Sequence, residues 1–143
     1  MEMIGELAEQ FESQHSMANG SCLIRIGSEV VRLSSLSAGI DFLLGYRDGD
    51  LVVIPRSAVL ELTGSLPAAH SATSLAEFLA SLRLPVRLSC QVGTEIRRSW
   101  LLNVSGNWLR VSSQAGISWL PFEALLIAEV TDASRLSEMN GNS

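Results

Sequence analysis

The chain contains no lysine; its ten basic residues are all arginine. This is read as the codon usage of a GC-rich genome and not as mechanism. Cysteine is scarce: Cys22 and Cys90 stand alone, with no C-x-x-C or Cys/His spacing of the kind a structural metal site needs. They are expected to be small buried hydrophobes in strands. No apolar run approaches the roughly 18 residues that would cross a bilayer, so no membrane association is expected. The first residues, MEMIGELAEQFES, are acidic and lack the basic start of a secretory signal, so a cytoplasmic location is expected. Histidine is limited to His15 and His70, isolated from paired acids and from any nucleophile. No glycine-rich phosphate loop is present. Asp48-Gly49-Asp50 has only a fragment of a calcium loop's ligands and reads as a hairpin turn. A non-enzymatic protein is expected, with no catalytic residue, no cofactor and no metal.

Net charge is −5, unevenly divided. Residues 1–65 carry nine acids and four arginines, while 66–143 carry six of each. Nucleic-acid affinity rests on cations neutralising phosphates, so an acidic chain disfavours that class without removing it.

What is present is a repeat. Residues 22–62 recur at 88–128 with a constant shift of 66 and no gap. Gly27 falls on Gly93, Glu29 on Glu95, Arg32 on Arg98, Leu43 on Leu109, Pro55 on Pro121 and Ala58 on Ala124. A fixed period of this kind indicates two copies of one module. Each is too small to be comfortably stable alone, so the halves are expected to pack together.

Periodicity predicts a helix over 2–14, with the stripe Ile4, Leu7, Ala8 and Phe11, and another over 75–84. Ser74 and Glu77 form a capping box for the second, and Pro85 ends it. Strands are predicted at 22–26, 29–36, 40–46, 51–54 and 58–62, then at 88–92, 95–102, 107–112, 117–120 and 124–129. The organisation expected is a helix plus first barrel over 1–64, a linker over 65–73, a helix plus second barrel over 74–130 and a tail over 131–143. The fold class is all-β with short helices, a tandem duplication of a helix plus a five-stranded SH3/Sm-like barrel.

The pattern from Gly27 to Leu60, with Asp41-Phe42-Leu43, Asp48-Gly49 and Val53-Ile54-Pro55, resembles the Sm-like small-barrel superfamily. More narrowly it is similar to uncharacterised actinobacterial tandem-barrel proteins, whose barrels close with a segment like Ile54-Pro55-Arg56-Ser57-Ala58-Val59 or Leu120-Pro121-Phe122-Glu123-Ala124-Leu125. For classical Sm proteins the resemblance implies ring assembly and RNA binding. Here Ile54-Pro55 and Leu120-Pro121 occupy the place of the Arg-Gly pair that contacts RNA in that family.

Positions apolar in both copies are expected in the core: Ile26/Val92, Val30/Ile96, Leu36/Leu102, Phe42/Trp108, Val53/Trp119, Ile54/Leu120, Val59/Leu125 and Leu60/Leu126. Positions where the copies diverge are the functional candidates. Arg97 replaces Val31, Trp100 replaces Ser34, Arg110 replaces Leu44 and Phe122 replaces Arg56. An aromatic among arginines can anchor a protein interface or stack a base. The expected role is a protein-interaction or scaffolding module with an unknown protein partner or a second copy. The alternative is an RNA- or DNA-binding protein, with Arg87, Arg97, Arg98 and Arg110 on phosphates and Trp100 stacking.

Overall fold

A computed structural model describes residues 21–67 and 69–131. The helix expected over 2–14 and the tail after Thr131 lie outside the described residues. The described chain is mostly β-strand, with one short helix.

The first half forms β1 (Ser21–Ile26), β2 (Glu29–Ala38), β3 (Phe42–Arg47), β4 (Asp50–Pro55), a 3-10 turn at Arg56–Ala58 and β5 (Glu61–Thr63). β6 (Ala69–His70) and helix α1 (Leu75–Ser81) follow. The second half forms β7 (Val86–Val92), β8 (Glu95–Ser105), β9 (Trp108–Ser113), β10 (Gly116–Pro121), a 3-10 turn at Phe122–Ala124 and β11 (Leu125–Val130). The bounds of β3, β4 and the first 3-10 turn, each moved by 66, are those of β9, β10 and the second turn. The hydrogen bond from Arg56 N to Asp41 O (2.9 Å) has its counterpart from Phe122 N to Asn107 O (3.1 Å).

Local chemistry sets the hairpins. Gly27 and Gly93 open the β1–β2 and β7–β8 turns at φ +60° and +65°, a backbone that glycine adopts without strain. Asp48 and Gly49 both have positive φ, the requirement of a two-residue type I′ turn. Bulges interrupt the β2–β3 ladder between Ser34 and Ser37 and the β8–β9 ladder between Leu101 and Asn103. Bulges bend strands and increase their twist, which lets each long second strand serve a curved sheet.

The strands join in one antiparallel path, β10-β9-β8-β7-β11-β4-β3-β2-β1-β5, with β6 pairing β2 in parallel. The seam between the halves is β4 against β11, with Val53 opposite Ala128, Val52 opposite Glu129 and Leu51 opposite Val130. The Arg47 guanidinium donates to the Glu129 carboxylate across this seam. Two clusters fill the interior. One belongs mainly to the first half: Ile24, Ile26, Val31, Leu33, Val52 and Ile54, joined by Ile127. The other combines Leu88, Cys90, Leu109, Val111 and Leu125 with Leu75 and Leu79 of α1, and with Phe42 and Val53 of the first half.

The segment expected to be a plain linker is tied down. Ala69 and His70 pair with Ser37 and Ala38, and Ser71 N donates to Ala38 O at 2.8 Å. The capping box at Ser74 and Glu77 is formed, and the Asp41 carboxylate also accepts from Leu75 N at 2.7 Å. Helix α1 stops at Ser81, before the 84 expected, because Leu82 is already extended at ψ 139°.

Candidate functional site

The outer face of β8, β9 and β10 concentrates the exposed aromatics. Trp100 sits opposite Ser112; Arg110 and Trp108 follow at two-residue steps on β9, the spacing that keeps side chains on one face. Trp119 stands opposite Arg110, Ile117 opposite Ser112 and Pro121 opposite Trp108. Trp108 is 51% exposed, Trp119 47%, Trp100 43% and Ile117 61%. The opposite face of these strands carries Leu109, Val111 and Leu120 into the core.

Two arginines lie over the rings of this face. The Arg87 guanidinium is 5.4 Å from the Trp100 ring centre, and that of Arg110 is 5.7 Å from Trp119. A guanidinium over an indole is held by the ring's negative face, which keeps both groups presented outward. Beside them, Glu29, Arg47, Arg87, Arg98 and Glu129 line a polar hollow of about 290 Å³. It adjoins a cleft of about 520 Å³ at the junction of the halves, lined among others by Ile26, Ala58, Leu60, Ile96, Arg98 and Ile127.

The four residues singled out by divergence between the copies separate into two settings. Trp100 and Arg110 share the outer face. Arg97 alternates to the other side with buried Ser99, and its guanidinium donates to Glu95 at 3.2 Å. Phe122 lies in the 3-10 turn, half-buried against the second-half cluster. Of the wider arginine set, Arg87, Arg98 and Arg110 are exposed.

Trp108 and Trp119, expected as packing residues, are instead on the open face, and the counterpart positions explain why. In the first half the same face carries Phe42, Leu44, Leu51 and Val53, which pack into the cluster containing α1 and the second half. Phe42 meets Phe78 of α1 with ring centres 5.3 Å apart. Nothing among the described residues does this for Trp108 and Trp119. Val30, Ile96, Leu60 and Leu102 are likewise exposed where core was expected. Leu102 is the extra residue of the β8 bulge, which takes it out of the alternation. The sequence signal for the open face was present: Leu44 becomes Arg110, and a charge in the middle of an apolar face marks that face as solvated.

Both cysteines are buried and unpaired to each other. Burial pushes the Cys90 thiol up to about 11, with Arg97 pulling it back. The thiolate is the reactive form, so this environment suppresses its chemistry. Cys22 Sγ donates to Ser65 O at 3.2 Å. His70 is exposed on β6. No group of three His, Cys, Asp or Glu able to hold a metal occurs among the described residues. No helix among them is long and apolar enough to cross a membrane. Comparison of the chain with protein-family models, with curated proteins and with solved structures finds no match.

Proposed function

We propose that this chain is a non-enzymatic, cytoplasmic protein-interaction and scaffolding module, built by tandem duplication of one small SH3/Sm-like barrel. The shared element bounds at a shift of 66 and the matched Asp41 and Asn107 hydrogen bonds support the duplication. One observation carries the functional reading. A face that is covered in the first half, at Phe42 and Val53, is open in the second and set with Trp108, Trp119, Trp100 and Arg110. Tryptophan and arginine are the residues that most often dominate binding energy at protein interfaces, and apolar patches of this kind on a solvated surface mark docking sites. The test is capture of a partner from native lysate by the full chain and by Trp100→Ala and Trp108→Ala. The expected result is loss of capture in both variants. Unchanged capture by both would remove this face from the reading.

A second reading is an RNA- or DNA-binding protein of the Sm-like kind. Outward indoles flanked by Arg87 and Arg110 suit stacked bases and their phosphates. Anisotropy of labelled single-stranded RNA and DNA at low and moderate salt separates the two. Saturable binding that weakens with salt favours nucleic acid, and no binding at low salt leaves the protein module.

A further inference from the structure

The cleft at the junction takes its walls from both halves. Its floor is apolar, with Ile26, Leu125 and Ile127 buried beneath it. A bulge in β11 shapes that floor. Leu125 pairs with Cys90 and Ile127 with Ser89, so Leu126 is passed over in the ladder. An extra residue of this kind bends its strand, and Leu126 packs on the first-half cluster. The rim carries one exposed apolar side chain from each half, Leu60 at 66% and Ile96 at 57%. Both were expected in the core, and neither finds cover among the described residues. At about 520 Å³ the cleft has the size of a small-molecule site.

One end of the cleft is cationic. It opens into the polar hollow through Glu29, Ser89, Arg98 and Ile127, which line both. Arg98 follows Ile96 by two residues on the same face of β8 and stands opposite Ser89. Arg87, opposite Trp100, is its diagonal neighbour across the ladder. Arg47 is taken up by Glu129. Among the described residues neither Arg87 nor Arg98 has a carboxylate within ion-pair distance, although Glu29 lines the same hollow. Two neighbouring guanidinium groups repel each other, and an anion that accepts from both removes the repulsion. The hollow's three arginines and two glutamates leave one positive charge, which matches a monovalent head and not a phosphate dianion.

We infer that this cleft binds a small amphiphile with a single carboxylate head. Its apolar body lies over Leu125 and Ile127, between Leu60 and Ile96, and its head rests on Arg98 and Arg87. An alkyl body asks only for contact from such a floor, and a carboxylate takes paired N–H donors from a guanidinium. The site goes beyond the docking face and shares with it only the contact between Arg87 and Trp100.

The test is isothermal titration of the full chain with sodium decanoate below its micelle concentration. Saturable one-to-one binding is expected. Acetate, a head without a body, and decyltrimethylammonium, a body with the opposite head, should give none. Arg98→Gln should weaken decanoate binding by about tenfold or more, the effect of losing a charge-assisted contact, and Arg98→Lys should recover part of it. Leu60→Asp should abolish binding by placing a carboxylate on the rim. Both positions are exposed, so the fold should survive, with urea midpoints equal to wild type as the check. Trp108→Ala should bind decanoate as wild type does, which separates this site from the docking face. No saturable heat with decanoate would overturn the inference, as would equal affinity in Arg98→Gln or equally tight binding of decyltrimethylammonium. Capture of phosphatidylglycerol vesicles without binding of free decanoate would also overturn it, by assigning the surface to a membrane. The docking face would stand in each case, because partner capture reads it independently.

Discussion

Leu33 and Gly45 in the first half correspond to Ser99 and Val111 in the second, and large and small have changed places. Leu33 is fully buried, and a Cβ on Gly45 would lie 2.8 Å from the Leu33 Cβ. Gly45 needs no unusual backbone angle; it is glycine because Leu33 fills the space. In the second half Val111 is fully buried, and the facing strand supplies the small Ser99. The same volume is filled from opposite strands. Core volume is therefore a property of the pair, and the two halves meet it in opposite ways.

The outer faces differ more deeply, and the largest expected effect tests them. Phe42→Ala should destabilise the protein by about 3–5 kcal/mol in chemical denaturation, as loss of a buried aromatic does. Trp108→Ala at the equivalent site should cost under about 1 kcal/mol, since half of that side chain is already in water. Equal costs at the two sites would mean that Trp108 is covered in solution.

Gly45→Val imports the second half's residue into the first. It should cost about 1–3 kcal/mol by overpacking against Leu33. Adding Leu33→Ser should recover part of that loss, so the double variant falls short of the sum of the singles. Strict additivity in the cycle would show that the two positions do not share a space.

A third test concerns pH. Between pH 9 and about 11 the unfolded Cys90 thiol ionises while the folded one stays protonated, so the unfolded state binds fewer protons. Stability should fall as pH rises through that window. Cys90→Val should flatten the fall relative to wild type in parallel urea titrations. An unchanged slope would mean that the thiol is hydrated in the folded state.

The smallest effect is at Ser99, whose Oγ is buried with no hydrogen-bond partner among the described residues. Ser99→Ala should be neutral or stabilise by up to about 1 kcal/mol, because an unsatisfied hydroxyl costs its desolvation. A loss of stability in the melting curve would instead reveal a partner such as bound water.

What was legible in the sequence was whatever a few neighbouring residues decide. Gly27-Ser28 and Asp48-Gly49 state their turns through backbone permissiveness, and Ser74 with Glu77 states a helix start. The repeat placed nearly every strand, because two copies of a weak pattern reinforce each other. The exposure of Trp108 and Trp119 was not legible. Hydrophobicity says that a side chain prefers burial, and not whether an element exists to bury it. Here α1 lies over Phe42 and nothing described lies over Trp108. The pairing of β4 with β11 is beyond local reading for the same reason, since no signal in residues 50–55 names a partner at 128–130. β6 was missed because two residues hydrogen-bonded to Ser37 and Ala38 have no periodicity to detect. At the site, divergence between the two halves picks out Trp100 and Arg110 on the open face, Arg97 in an ion pair with Glu95, and Phe122 half-buried against the second-half cluster.

The β4–β11 seam also sets a timetable for synthesis. β4 ends at Pro55, and its partner is complete only at Val130, 75 residues later. At translation rates of roughly 5–20 residues per second, that leaves the strand edge open for about 4–15 s on every nascent chain. The run Leu51-Val52-Val53-Ile54 is the kind of short, uncharged, β-branched segment that pairs with whatever strand it meets. Asp50 stands at one end of it and Pro55 at the other, a charge and a ladder-breaker that guard the run until β11 leaves the ribosome.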